Sequence, residues 1–290
     1  MKKWLGFVGF VLAASSILVS AADRPAVTFK YSTIELKNVE ETRTYAINNL
    51  GHMVGQYTDS TGATHGLEIV GSQVNTIDDP NGTDTFFTGL SNNDVLVGSY
   101  FNSSNVQIGM MYQNGVFTDI PGPSGSLASV AYGINDAGTV VGSYEDSTGI
   151  ARGFSWDGTT YTTLTPPNST ATAAYGINNS GLITIQWTNS AGNEESSLYS
   201  KGKYVTVNVP GATNSYIHDI NSSGFAVYSW TDSAGLFHGS IMVHGQFIQM
   251  DDPNGVDGTY SDGINDSAVI VGTFHNSANT AEGFKAVPSK

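Results

Sequence analysis

The side chains best placed to do chemistry are His218, Asp219 and Asp262, with Arg43 as their candidate cationic companion. An imidazole beside two carboxylates can move protons as acid and base, or hold a metal ion. The competing reading is hydrogen bonding between neighbouring elements around a hydrated channel. The chain has only six histidines. None falls in a His-x-His or His-x-x-x-His spacing, so a metal centre is not expected. No Gly-x-Ser-x-Gly elbow, phosphate loop or zinc-helix signature is present. Whether the chain is an enzyme stays open, and the missing motifs lean against it.

A second candidate set is aromatic. Tyr57, Tyr100, Tyr144, Trp187, Trp230 and Phe274 occupy equivalent places along the chain. Their ring faces suit sugars; the alternative is that they wedge between packed sheets. Tyr216 and Tyr260 join Arg43 as further candidate ligand contacts. The third feature is "DDPNG", which occurs at Asp78 to Gly82 and again at Asp251 to Gly255. Oxygen-rich loops can hold calcium, but the alternating ligands and terminal Glu of an EF-hand are missing. Pro-Asn-Gly also explains itself as a turn. The expectation is no cofactor, with calcium as the one candidate.

These residues are positioned by a repeat. The dipeptide Ile-Asn stands at Ile47, Ile134, Ile177, Ile220 and Ile264, and Leu90-Ser91 fills the missing place in register. Successive spacings are 43, 44, 43, 43 and 44 residues. Each unit splits into four short segments rich in β-branched and aromatic residues, such as "SVAYGIN", "TVVGSYE", "ARGFSWD" and "TYTTLTPP". Turn signals bound them: "NDAG" or "NSSG", then "DSTG" or "DSAG", then "DG", "NG" or "KG". Four antiparallel strands in forty-odd residues is the signature of a propeller blade. The last unit ends at "EGFKAVPSK" without a fourth segment, while "KYSTIELKN", Lys30 to Asn38, is spare at the other end. Tyr31-Ser32-Thr33-Ile34 matches Tyr161-Thr162-Thr163-Leu164. The expected fold is therefore all-β: a six-bladed β-propeller, four antiparallel strands per blade, closed by an N-terminal strand in the last blade.

In that frame the variable places stand out. Two residues before the aligned Ile lie Tyr45, Thr88, Tyr132, Tyr175, His218 and Asp262. One residue before, glycine is usual and Asp219 breaks the rule. Two places further back lie Arg43, Phe86, Tyr216 and Tyr260. A scaffold needs sameness and a single site needs asymmetry, so the polar cluster is placed at the channel mouth. The repeated Asn of each Ile-Asn pair, at the start of a turn, is expected to be structural.

Residues 1–22 form no part of this pattern. "MKK", an apolar run and a small-residue end describe a secretory signal peptide, cut after Ala21 or Ala22. A retained N-terminal anchor is the alternative. The domain then runs over 23–290. Without Lys2 and Lys3 the chain keeps 9 basic against 25 acidic residues, a net charge near −16. Such a surface repels phosphate backbones and anionic membrane surfaces, so nucleic acid is not expected as a partner; after signal cleavage no stable membrane insertion is expected. There is no cysteine, so stability rests on the core, which a chain this long can build.

The motif "GINDAGTVVGSYEDSTGIARGFSWDG", followed by "YTTL" or "VNVPGAT", resembles the bacterial extracellular repeat proteins of the HAF family. The likeness covers the whole mature chain. His65-Gly66-Leu67 and His238-Gly239-Ser240 match the family's third-strand triplet best. Arg152-Gly153-Phe154 and Glu282-Gly283-Phe284 keep its latter part, and the fourth unit, "TIQWTNSAGNEESSLYS", departs most. The resemblance implies a secreted propeller and brings no catalytic residues with it. The function expected is a secreted or periplasmic bacterial binding protein, monomeric, recognising a glycan or a cell-envelope component through its loop face. The alternatives are an extracytoplasmic glycan hydrolase or lyase using the polar cluster, and a structural envelope protein without a small ligand.

Overall fold

The computed structural model describes residues 27–289. The expected signal peptide lies outside them. The described chain holds 24 strands in six sheets of four. Within each of the first five blades the strands run from the axis outward in chain order. In blade 3 they are Ala128–Ile134, Val140–Glu145, Ala151–Trp156 and Tyr161–Leu164. The remaining innermost strands are Val39–Ile47, Gly82–Leu90, Ala171–Ile177, Asn214–Ile220 and Thr259–Ile264. The six-bladed propeller read from the repeat is the fold observed.

Blade 6 takes its outermost strand from the start of the chain. Phe29–Thr33 pairs antiparallel with Ala281–Pro288, from Phe29 opposite Pro288 to Thr33 opposite Phe284. Ile34 N–H adds a bond to Gly283 O at 2.8 Å. In blade 3, Thr163 faces Phe154 and Leu164 faces Gly153 in the same way, so the sequence match holds residue for residue. The strand is shorter than Lys30 to Asn38. After Thr33 the chain leaves the rim for the axis, with Ile34 and Leu36 packed against blade 1 and Asn38 turning at φ 61°.

Most of the core lies between blades. Val97 of blade 2 packs with Ile120 of its own blade and with Ala131, Val140 and Phe154 of blade 3, and Val141 and Leu164 of blade 3 pack with Ala174 and Ile185 of blade 4. Val271 of blade 6 closes the circle against Ile47, Met53 and Leu67 of blade 1. Phe87, Phe154 and Phe284 are fully buried, each contributing about 1.5–3 kcal/mol. Since a cluster needs two sheets, no blade owns its core.

The Asn of each Ile-Asn pair ties the blades at one face. Asn178 Oδ1 accepts the N–H groups of Ser180 and Leu182, both at 3.0 Å. Its Nδ2 reaches the carbonyl of Asn221 in the next blade at 3.0 Å. Asn221 does the same to Asn265 at 3.0 Å, and Asn265 to Asn48 at 3.1 Å, across the seam. One amide thus closes a turn and fastens a neighbour, which is the structural role expected of it.

A β-bulge aims side chains into the channel. The register of the inner pair slips between Thr44 and Ala46, between Phe87 and Gly89, between Ala131 and Gly133, and between Ser261 and Gly263. In blades 4 and 5 it slips over Ala174 to Ile177 and Ile217 to Ile220. The residues inside these slips are the variable set Tyr45, Thr88, Tyr132, Tyr175, His218 and Asp262. A bulge bends its strand and re-aims the extra residue. Just beyond it, a Cβ on Gly133 would stand 2.5 Å from Tyr175 O, and one on Gly263 would stand 2.6 Å from Tyr45 O. Glycine there lets neighbouring blades close to backbone contact.

Candidate functional site

The bulged residues line a cavity of about 360 Å³ on the propeller axis. It is bounded towards the loop face by Phe86 and Val130, and at its waist by Ile47, Leu90, Ile134, Ile177 and Asp219. Gln56, Ser99 and Gln107 add polar edges. Beyond the waist, at the Asn-ring face, lies a smaller space of about 70 Å³. The larger volume falls at the lower end of the range for ligand pockets.

His218, Asp219 and Asp262 all line this cavity. They sit inside the channel, below the mouth where the sequence placed them, because the bulge turns them toward the axis. His218 Nδ1 lies 3.9 Å from Asp262 Oδ1, with the two side chains 18% and 12% exposed. His218 Nε2 is 3.1 Å from Ser229 Oγ. Burial without a close counter-charge pushes the His218 pKa down to about 4, so the ring is neutral at pH 7. Burial pushes Asp262 up to about 7, and Arg43 works against that rise. Asp219 is differently occupied. Its Oδ1 accepts Ile220 N–H at 2.8 Å, and its Oδ2 accepts Ile264 N–H of blade 6 at 3.1 Å. Burial still lifts it to about 6, against those donors. Asp219 is thus a seam between blades, and Asp262 is the carboxylate that faces the space.

The aromatic wall came from the same register position. Tyr132 and Tyr175 stack at 4.4 Å with 21° between their planes, and Tyr175 meets His218 edge-on at 5.7 Å. Tyr45 donates its hydroxyl to Gln56 Oε1 at 3.2 Å. These tyrosines were visible as variable positions. Their convergence on one cavity was not, since nothing local announces a bulge.

The other candidates lie elsewhere. Arg43 is held by Glu41 at 3.2 Å, one register step above the cavity. Tyr216 and Tyr260 flank Phe237, at 5.8 and 4.8 Å, in an aromatic row between blades 5 and 6. The strand-end ring does not point into the channel. Tyr100 and Phe274 are buried, and the Tyr100 hydroxyl donates to Asp119 at 3.2 Å. Tyr144 meets Thr163 at 3.1 Å, and Trp187 donates to Ser197 Oγ at 3.0 Å. Tyr57 stacks on His65 at 5.0 Å, and Trp230 lies 4.6 Å from His238. Tyr57, Tyr144, Trp187 and Trp230 meet partners in their own sheets and keep part of their surface open, whereas Tyr100 and Phe274 lie in core clusters shared between blades.

The two "DDPNG" loops share one set of bonds. Asp78 Oδ2 lies 2.8 Å from His65 Nδ1, and Asp251 Oδ2 lies 2.9 Å from His238 Nδ1. The opposite nitrogens approach Asp59 at 3.4 Å and Asp232 at 3.6 Å. Asp79 and Asp252 accept the N–H of Asn81 and Asn254 at 2.8 and 2.9 Å. These contacts pin the loop to the third strand, which is why His-Gly and Asp-Asp-Pro-Asn-Gly occur together. Among the described residues no group of three or more His, Cys, Asp or Glu is arranged to hold a metal ion.

No family model matches the chain, and no curated protein matches it. Solved structures do. A variant of the Aleuria aurantia lectin in complex with Fucalpha1-6GlcNAc superposes with a TM-score of 0.55 at 11% identity, over 89% of this chain and 97% of that one. A mutant of AofleA from Arthrobotrys oligospora gives 0.57 at 13% identity, over 93% and 90%. The SapL1 lectin in complex with alpha methyl fucoside gives 0.57 at 10%, over 87% and 97%. The Aleuria aurantia lectin is itself described as a six-bladed β-propeller. At these identities the likeness establishes the fold.

Proposed function

We propose that this chain is an exported propeller of the HAF repeat type that binds a glycan, with one sugar unit seated in the axial cavity. The observation that carries the reading is the convergence of the unit-specific residues Tyr132, Tyr175, His218 and Asp262 on that cavity. Tyr132 and Tyr175 supply apolar ring surface, and Gln56, Gln107, His218 and Asp262 supply polar edges. This is the mixture that sugars take. The fucose-bound lectins that share the fold support the same class of ligand. Tyr216, Tyr260 and the half-open Tyr57, Tyr144, Trp187 and Trp230 offer ring faces to a chain leaving the cavity. The protein acts outside the cytoplasm and as a monomer.

A glycan array with the mature protein, followed by calorimetry on the strongest hit, tests this reading. Tyr175→Ala should weaken the hit at least ten-fold, and Val116→Ala, exposed and away from the cavity lining, should leave it within two-fold. Absence of binding to any sugar would overturn the proposal. A hydrolase or lyase is the second reading, favoured by a cavity-facing carboxylate, Asp262, whose pKa is pushed up to about 7. Release of new sugar ends from the bound glycan, lost in Asp262→Asn, distinguishes it.

A further inference from the structure

Among the described residues, Asp262 is the one bulged residue without a hydrogen-bond partner. Across their own sheets, Tyr45 bonds Gln56 and His218 bonds Ser229, while Tyr132 bonds Ser143. Thr88 bonds the carbonyl of Ala131 at 2.7 Å. The Tyr175 hydroxyl is paired with that of Tyr132. In blade 6 the corresponding partner is Thr273, and the bond is not made. Thr273 Oγ1 is buried with no partner, and Asp262 has only the 3.9 Å approach of His218 Nδ1. That imidazole is neutral, because burial lowers its pKa. Among the described residues no lysine or arginine nitrogen comes within 4.0 Å of Asp262.

The surroundings define what completes such a site. A carboxylate withdrawn from water needs either its proton or a cation. Tyr45, Phe86, Tyr132 and Tyr175 surround the same space, and ring faces attract a cation. The charged and titratable groups around Asp262 are His218 and Asp219 of blade 5, Arg43 and Tyr45 of blade 1, Tyr132 of blade 3, Tyr175 of blade 4 and Tyr260 on its own strand. Arg43 is the only cation among them and is already paired with Glu41. An anionic ligand would meet Asp262 unscreened. A neutral hydroxyl would accept the geometry and leave the charge uncompensated. The chain's formal charge of −14 also draws cations toward it.

We infer that the axial cavity takes an organic ammonium group against Asp262, with the tyrosine rings packed around it. On the glycan reading, from which the sugar part of this inference follows, the ligand is an amino sugar with a free amine. The ammonium part stands without it.

Calorimetry on the full mature chain with glucosamine, N-acetylglucosamine, glucose and choline tests both parts. Glucosamine should bind at least ten-fold more tightly than its acetylated or neutral counterparts. Choline keeps its charge at every pH, so its affinity reports the ionisation of the cavity carboxylates, Asp262 and Asp219. It should rise roughly ten-fold between pH 5.5 and 8.5 as the carboxylates ionise. Asp262→Asn should remove both the binding and the pH dependence, and its melting temperature at pH 8 shows that the variant is folded. Choline binding without any sugar binding would uphold the ammonium site and refute the glycan reading. Glucose or N-acetylglucosamine binding that survives Asp262→Asn would uphold the glycan reading and refute the ammonium site. Silence from all four ligands would refute the ammonium site, and a negative glycan array would then remove the glycan reading as well.

Discussion

At the scale of single residues, the cavity carboxylate works against the fold that holds it. An aspartate has an ordinary pKa of 3.8, and burial takes Asp262 to about 7. The folded chain therefore binds this proton more tightly than the unfolded one. The associated stability is complete below about pH 4 and declines as the pH rises through 7. A ten-fold change in proton affinity is worth roughly 1.4 kcal/mol. The ceiling is then ~4 kcal/mol, which water in the cavity screens toward ~1–2 kcal/mol. Asp262→Asn cannot ionise. It should melt several degrees above the parent at pH 8 and level with it near pH 4, read by calorimetric melts across that range. Equal melting at both pH values would mean that the carboxylate is not desolvated. His218 and Asp262 were legible in the sequence because a repeat exposes its own exceptions. Asp219 was legible as an exception too, but its two backbone bonds were not, because the glycine it replaces has no side chain to suggest a partner. The tyrosine wall was hidden for a different reason. In an unbroken strand alternate residues face neighbouring sheets, and only the bulge sends Tyr132 and Tyr175 to the axis.

Individual strands and turns follow the sequence closely because each is bounded by a residue with a specific conformational demand. The position that closes the turn between first and second strands has positive φ in every blade. It is filled by Gly51, Gly138, Gly181 and Gly224, but by Asp94 and Ala268 in blades 2 and 6. Asp94 uses its carboxylate there, accepting from Asn48 Nδ2 at 2.9 Å. Ala268 has no such return and sits at φ 55°. A left-handed conformation costs an L-residue about 1–2 kcal/mol, partly offset by the greater freedom of glycine in the unfolded chain. Ala268→Gly should stabilise the protein by about 0.5–1 kcal/mol in denaturant titrations. A loss of stability would show that its methyl group, packed beside Ile264 and Ile270, outweighs the strain. The strand-end aromatics show where reading by element ran out. Their spacing was plain, but whether they faced a ligand or the sheet depended on Thr163, Ser197 and Asp119, residues in other strands with no pattern of their own.

For the whole molecule, the repeat count and the closing strand came from sequence because both are matters of number: six units, one strand short at one end and one spare at the other. The rest depends on closure. Deleting Phe29–Thr33 would strip the rim from blade 6, expose the edge of Ala281–Pro288 and uncover Phe284, which Tyr31 shields at 5.7 Å. Each core cluster is shared, so the loss should spread. The deletion variant should aggregate, or melt at least 10 °C lower as one cooperative transition. Melting like the full chain would mean that the seam contributes little.

The interlocked seam also sets a time order on synthesis. The strand made first finds its hydrogen-bonding partner some 250 residues later, as with Ser32 and Lys285, 253 positions apart. At roughly 5–20 residues per second of translation, it waits on the order of ten to fifty seconds without a mate. Any product cut short of Ala281 leaves it without one permanently. The joint between beginning and end therefore doubles as a proof of completeness: only a chain read through to its last strand can seal, and every shorter one is left with an open edge for a protease to find.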